Sequence, residues 1–360
     1  MGEQLSKIVI KGYKSIKDCS LELENLNVLI GSNGAGKSNF MSVFLLFRNV
    51  VVHNLARYTG IKGVNSFFYN GTKFTDSVSI ELHFNAYIYA FELEASEYNN
   101  LIFSKERIEA GGLAWEAEGH NETKWEEGCQ KVNLDSDGLR VLSNGMLHLY
   151  HFNDTGSSSR IKREHNLSHN NILMWDASNL AAFLYRLQKH YNIEYKKIVK
   201  AVQRIAPYFK DFVLQPEEEN NELIFLRWQE RGCDTIFNPS QLSDGTLRFI
   251  CLATLLLQPM ALQPETIIID EPELGLHPYA MTIIAELVKK AAAKKQVILA
   301  TQSAEFLDHF EPENIIVVDR TANGSMFKRL NEERLKAWLE DDYSLGELWN
   351  KNLFGGRVAR

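Results

Sequence analysis

The sequence has little cysteine. Cys19, Cys129, Cys233 and Cys251 lie far apart and make no CxxC pair. That excludes a zinc ribbon and a disulfide framework, and it fits a reducing compartment. Long apolar runs are missing too. The best, from Phe249 to Leu257, is about half of the ~20 residues a membrane-spanning helix needs. No apolar signal core opens the chain, so the expected location is the cytoplasm. Met1-Gly2-Glu3-Gln4-Leu5-Ser6 fits a loose myristoylation pattern, but one acyl chain anchors weakly, and the segment reads as a polar lead into a strand. Sequons such as Asn70-Gly71-Thr72 carry no meaning without secretion. Excess positive charge is absent: 39 Lys+Arg against 46 Asp+Glu leave a net charge of −7. A chain coated in nucleic acid is excluded, though not a local basic face. Sustained heptads are absent as well, which excludes a long coiled-coil arm.

What remains is an ordinary globular composition, 45% hydrophobic and 24% charged over 360 residues. That length allows two domains or one large domain with an insertion. Apolar runs without alternation at 26–30, 266–269, 296–300 and 315–318 predict strands of a parallel sheet covered on both faces. Alternation from 77 to 95, and shorter runs to 150 with turn signals at Gly111-Gly112 and Asp137-Gly138, predict an antiparallel layer. Helices are expected at 39–52, 176–190, 194–206, from Ser243 onward, and at 278–293. Asp176 or Ser178 would cap the second of these, and Pro207 would stop the third. Leu223–Trp228 reads as one strand, and polar Asn153–Asn171 as a long surface loop.

Four patterns carry chemistry. Gly31-Ser32-Asn33-Gly34-Ala35-Gly36-Lys37-Ser38, followed by Asn39, matches G-x-x-x-x-G-K-[ST] in full, between a buried strand and a helix. Its glycines let backbone N–H groups turn toward phosphate oxygens, and the helix points its positive end at the same anion. Lys37 would reach the β- and γ-phosphates of ATP, and the Ser38 hydroxyl would ligate Mg²⁺. Asp270-Glu271 ends the buried strand Thr266–Ile269, at the ligand edge of such a sheet. Alone these acids could cap a helix. After a phosphate loop, Asp270 is placed to hold Mg²⁺ and Glu271 to orient or deprotonate water. Leu242-Ser243-Asp244-Gly245-Thr246 lies 28 residues before Asp270 and by itself reads as a helix N-cap. Gln302 ends the strand Val297–Thr301; its amide can donate to phosphate but cannot shuttle a proton.

In this order the motifs resemble the ABC-type ATPases, and within them the SMC/RecF/OLD-like branch. Ile10-Lys11-Gly12-Tyr13-Lys14-Ser15-Ile16 is similar to that branch's first strand. Leu345-Gly346-Glu347-Leu348-Trp349 with Gly355-Gly356-Arg357 resembles compact prokaryotic RecF-like ATPases. The resemblance implies a P-loop α/β fold with an ABC-type head: a mixed parallel core sheet, an antiparallel β layer and an insertion lobe. The expected segments are a head at 1–96 and 236–331, a β-rich and helical lobe at 97–235, and a tail element at 332–360. It implies that Ser243, Asp244 and Gly245 complete a partner subunit's ATP site in trans, across an ATP-closed homodimer. Gln302 stands where the ABC class carries a switch His. Leu274-Gly275-Leu276-His277-Pro278 occupies the D-loop position, making His277 a candidate for the interface; a helix-capping turn explains it as well. Residues 60–71 hold no glutamine for a Q-loop. That gap, the absent switch His and the GLHP turn all count against a transporter subunit.

The family implies a setting in anti-phage defence or DNA repair, with a separately encoded TOPRIM-like nuclease or toxin as effector. After Glu271 the 89 remaining residues leave no room for the head's own elements and a TOPRIM domain of ~100 residues. A standalone RecF-like DNA clamp and a non-catalytic nucleotide-dependent scaffold stay open. At 100° per residue, Lys196, Lys197, Lys200 and Arg204 share one face of the 194–206 helix, a candidate for nucleic acid or an acidic partner. His148, His151, His165 and His169 are close in sequence, but their polar surroundings do not read as a helix that would present a metal site.

Overall fold

The computed structural model describes residues 4–134, 147–331 and 343–356, with 333, 335, 338 and 341 between them. The strands run β1 (Leu5–Tyr13), β2 (Ile16–Glu22), β3 (Leu26–Ile30), β4 (Ser77–Phe84), β5 (Tyr87–Ala95), β6 (Leu101–Ala110), β7 (Leu113–Ala117), β8 (Leu147–Tyr150) and β9 (His165–Asn166). Then follow β10 (Phe209–Val213), β11 (Leu223–Ile224), β12 (Arg227–Glu230), β13 (Ile236–Phe237), β14 (Thr266–Asp270), β15 (Gln296–Thr301), β16 (Ile315–Thr321) and β17 (Gly324–Arg329). The helices are α1 (Lys37–Val51), α2 (Leu55–Lys62), α3 (Trp125–Lys131), α4 (Leu180–His190), α5 (Asn192–Ile205), α6 (Asp244–Leu257), α7 (Pro278–Ala292), α8 (Ala304–Leu307) and α9 (Leu345–Asn350).

Two compact units emerge: Met1–Leu149 with Pro264–Ile268 and Lys295–Arg360, and Tyr150–Gln263 with Ile269–Lys294. The expected head, lobe and tail divide the chain differently from these two units. The reason is pairing: β6 and β7, assigned to the lobe, extend the same antiparallel sheet as β5.

The first unit holds two six-stranded sheets. One, in the order β2-β1-β4-β5-β6-β7, is antiparallel throughout. Its alternation is the expected one: Val78, Ile80, Leu82 and Phe84 are buried along β4 while their neighbours are half-exposed. The other has the order β17-β16-β3-β15-β14-β8, with β3 parallel to both β15 and β16. Every residue of β3 and β15 is buried, as continuous apolar strands require. Helix α1 buries Phe40, Phe44, Phe47 and Val43 against this core. The second unit carries α4 to α7, a small β10-β12-β13 sheet and the β9-β11 pair.

Several expectations shift. The helix expected from 176 begins at Leu180, because Ala177 sits at φ 52 in a turn whose Asp176 carboxylate accepts from the Ser178 N–H. Leu223–Trp228 divides into β11 and β12. The 153–171 segment includes a 3-10 turn at Arg160–Lys162 and the paired β9. Trp125–Lys131, within a region read as strands, is α3; Gly128 weakens its helix signal but lets it press against the Trp115 ring. Asp137-Gly138 lies outside the described residues. No helix among the described residues is long and apolar enough to cross a membrane.

The antiparallel sheet has one buried charge. Glu106 is fully buried and accepts from the Tyr89 hydroxyl (2.5 Å), the Thr123 hydroxyl and the Lys124 backbone N–H (2.8 Å). The carboxylate thereby ties β5 and β6 to the loop that leads into α3. Glu106→Ala leaves these donors buried without an acceptor, and the expected cost is about 3 kcal/mol. Tyr89→Phe removes one donor and should cost about 1 kcal/mol. Urea denaturation of both variants measures the difference; equal midpoints for wild type and Glu106→Ala would refute it.

Candidate functional site

The loop Gly31–Gly36 leaves β3 at the sheet edge where the neighbouring strand β15 also ends, while β16 on the other side runs on to Thr321. Ile30 pairs with Thr301 of β15 and with Val317 of β16. Gln302 follows Thr301 directly, so β3 and β15 bring Gln302 and the start of the loop to one edge of the first unit. Within the loop Gly34 and Gly36 adopt φ 80 and 121, conformations in which a side chain is strained. Lys37 is buried, and its ammonium donates to the carbonyls of Gly31 (2.6 Å) and Ser32 (3.2 Å). The cation is therefore folded into the loop it belongs to. Ser38 and Asn33 are exposed.

The loop is also held from behind by side chains outside it. The Ser325 hydroxyl donates to the Ala35 carbonyl (2.6 Å) and lies 2.7 Å from the Ser15 hydroxyl. Asn39, on the first turn of α1, donates its side-chain amide to Ser15 (2.7 Å). A Cβ on Gly36 would collide with Ser325. Ser15 lies in the opening segment already singled out, so it was within reach of sequence reading. Nothing in the sequence marks Ser325.

The remaining candidates belong to the second unit. Asp270 ends β14 half-buried, with the His151 imidazole 3.9 Å from its carboxylate. Glu271 has φ 50, a left-handed conformation that a β-carbon makes costly and that recurs at functional positions. Ser243 caps α6, its hydroxyl accepting from the Thr246 N–H (3.1 Å), so the capping reading of LSDGT holds locally. Asp244 is exposed and pairs with Lys162 (3.3 Å). Gly245 lies so close to the Gly275 carbonyl that a Cβ would stand 2.5 Å from it. Arg248 spans the same turn, donating to the carbonyls of Leu274 (2.9 Å) and Asn153 (3.0 Å). The LSDG and LGLHP segments are thus packed together. His277 caps α7, its ring accepting from the Tyr279 N–H (3.3 Å).

Lys196, Lys197, Lys200 and Arg204 are exposed on α5, while Tyr195, Ile198 and Val202 are buried beneath them. Two of the four have a carboxylate nearby: Glu194 lies 3.8 Å from Lys197 and Glu286 lies 3.9 Å from Arg204. The four histidines do not form a centre. His148 is buried in β8, where desolvation, with Arg48 nearby, pushes its pKa down to about 4, and His165 lies in β9 rather than on a helix face. Among the described residues no group of three or more His, Cys, Asp or Glu side chains is arranged to hold a metal. The oxygen donors expected for Mg²⁺, the Ser38 hydroxyl and the Asp270 carboxylate, are of the hard type that ion prefers.

Comparison with known proteins gives the chain a family. Residues 26–308 match a family model described as "AAA domain, putative AbiEii toxin, Type IV TA system". No curated protein matches the sequence. Among solved structures, the Smc head domain of Pyrococcus furiosus, with an extended coiled coil and bound to the C-terminal domain of ScpA, aligns with a TM-score of 0.60 at 13% identity. The alignment covers 94% of this chain and 99% of that one. A second Smc head, bound to the C-winged helix domain of ScpA, gives 0.58 at 14% identity over 92% and 99%. The Smc head of Pyrococcus yayanosii gives 0.56 at 11% identity over 94% and 99%. At such identities the likeness is one of fold, and it is that of a P-loop ATPase head of SMC type.

The two loop glycines with positive φ differ in surroundings, and that difference is measurable. A Cβ on Gly34 meets nothing within 4 Å, so Gly34→Ala carries only left-handed strain, about 1 kcal/mol. Gly36→Ala adds the collision with Ser325 and should cost about 3 kcal/mol. Thermal melts that rank Gly34→Ala as the more damaging change would contradict this account of the loop's support.

Proposed function

Because the chain belongs to the family described as AAA domain, putative AbiEii toxin, Type IV TA system, we propose that it binds and hydrolyses ATP. We further propose that it pairs head to head with a second copy when ATP is bound, and that this switch controls a nucleic-acid-linked process. The observation that carries the reading is the complete phosphate loop between β3 and α1, with Lys37 drawn into it. Lys37 is the cation for the β- and γ-phosphates, and the N–H groups of the loop and of the first turn of α1 supply the remaining donors. Ser38 and Asp270 would hold Mg²⁺, whose charge offsets that developing on the phosphates. Glu271 takes the water's proton, and Gln302 contributes an amide. In trans, Ser243, Asp244 and Gly245 of one copy complete the site of the other, beside the turn that bears His277.

The effector we propose is separately encoded, a TOPRIM-like nuclease or toxin. The family's description, which names a putative toxin and a Type IV TA system, supports a defence setting over general DNA repair. Two of the Smc heads were solved with a domain of ScpA bound, which supports partner control by a fold of this kind.

Light scattering with and without ATP and Mg²⁺ tests the switch. Wild type and Glu271→Gln should be monomeric without nucleotide, and Glu271→Gln should shift to a dimer or larger species when ATP is added. Its turnover should fall by about 10²-fold or more. Lys37→Ala should neither bind ATP nor assemble. A fixed oligomer that ignores ATP would overturn the head-pairing reading, and wild type unable to bind ATP would overturn the whole.

The exposed cations of α5 favour a second reading, direct binding of DNA as a clamp. If that face meets phosphates, replacing Lys196, Lys197, Lys200 and Arg204 by alanine weakens duplex binding. It also reduces the magnitude of the slope of log K against log salt by about 3.6, roughly 0.9 for each of the four phosphates no longer neutralised. An unchanged slope removes α5 from the interface.

A further inference from the structure

The double glycine near the end of the described chain touches the phosphate loop. The Gly356 carbonyl accepts from the backbone N–H of Ser32 at 2.6 Å. The Gly356 N–H in turn donates to the Asp319 carboxylate at 2.6 Å. Both glycines are in left-handed conformations, φ 88 and 87. A Cβ on Gly355 would stand 2.5 Å from the Asp319 carboxylate, and one on Gly356 would stand 2.9 Å from Trp349 Nε1 and 3.2 Å from Val317. Only glycine fits this cradle without strain, and Asp319 is its floor.

The turn has a second attachment. Trp349 belongs to α9, whose Gly346 N–H donates to Asp308 at 2.5 Å, just past the end of α8. Gly346 also lies so close to the Ala304 carbonyl that no side chain fits between them. Helix α8 is capped by Ser303, the residue after Gln302. Asp319 sits on β16, one of the two strands flanking β3. The turn therefore bridges three parts of the first unit: the strand beside the loop, the helix that follows Gln302, and Ser32 itself.

We propose that the Gly355–Gly356 turn, seated on Asp319, is a positioning element of the ATP site that fixes the Gly31–Ser32 half of the phosphate loop. This rests on the nucleotide-binding reading above. Ser325 and Ser15 hold the Ala35–Gly36 half, and the glycine turn holds the other. With one half released, the N–H groups and Lys37 no longer converge on a single anion, and affinity for nucleotide falls before the stability of the fold does. Asp319 acts through Gly356 and touches no substrate, so it is a positioning residue.

The test measures ATP affinity and turnover in the full chain for wild type, Lys37→Ala, Asp319→Ala, Asp319→Asn and Gly356→Ala, with a melting curve of each without nucleotide. Asp319→Ala should raise Kd and KM for ATP by about tenfold while kcat changes by less than about threefold. Asp319→Asn keeps an oxygen acceptor for the Gly356 N–H and should stay within about twofold of wild type. Gly356→Ala should repeat the loss of affinity, and it carries the test if Asp319→Ala does not fold. Melting points within a few degrees of wild type separate positioning from general damage. The proposal falls if Asp319→Ala and Gly356→Ala bind ATP as wild type does, or if Asp319→Asn loses as much as Asp319→Ala. In either case, ATP binding by wild type together with its loss in Lys37→Ala leaves the nucleotide reading standing and the positioning proposal alone overturned. If wild type binds no ATP, the nucleotide reading falls with it.

Discussion

A loop that binds phosphate must keep most of its N–H groups free of its own carbonyls, since those groups are what the anion meets; here the Ala35 N–H donates back within the loop, to the Ser32 carbonyl (3.2 Å). Such a loop has few internal bonds to fix it, and fixing each backbone residue costs roughly 1–2 kcal/mol of entropy. Its shape must come from outside. Here β3 is clamped between β15 and β16 up to Ile30, so the loop starts from a rigid point. Helix α1 takes over at Lys37 and is anchored by Phe40 and Phe44, both fully buried. Between these fixed ends Ser325 and Gly356 grip the loop from opposite ends of its length. The rest of the first unit can be understood as the scaffold that brings those two grips into place.

The second unit solves a different problem. An acid proposed to take a proton from water has to be aimed, and the backbone of Glu271 is held in one unusual conformation: φ 50 costs on the order of 1 kcal/mol, which the surrounding turn must offset. Downstream, Gly275 and Gly245 are in mutual contact, with Arg248 donating to Leu274 across the same turn. The LSDG segment and the LGLHP turn are therefore one packed body. A displacement of either is transmitted to the other, because no side chain lies between them to absorb it.

The phosphate loop, the acidic strand end and the LSDG cap were legible because each is written in a few consecutive residues, and their chemistry follows from type and spacing. The sheet was legible because buried parallel strands lose alternation, as β3 and β15 do. What escaped was long-range. Ser325 lies 290 residues from Ala35, and His151 is distant in sequence from Asp270; neither is marked by period or motif. Pairing also moved the boundaries, since alternation in β6 says that one face is buried but not which strand lies beside it. The segment at α3 misled because its Gly128 lowers helix propensity while serving a close approach to Trp115. Gly355-Gly356 was visible as a motif, but its purpose was not, because the partner that requires glycine, Asp319, lies on another strand.

The one departure from the ABC pattern at the strand ends, Gln302, constrains the chemistry more than it weakens it. An amide offers a donor and an acceptor in fixed positions but takes up no proton at any ordinary pH. Whatever Gln302 does at the end of β15 is therefore orientation, and the N–H of Ser303 is already held by Thr301 at 3.0 Å, so the backbone there is set. On the proposed reading, proton transfer then falls on the carboxylate of Glu271 rather than on the residue at the end of β15. That is an argument for slow turnover and for a long-lived ATP-bound state, which is what a switch needs more than speed.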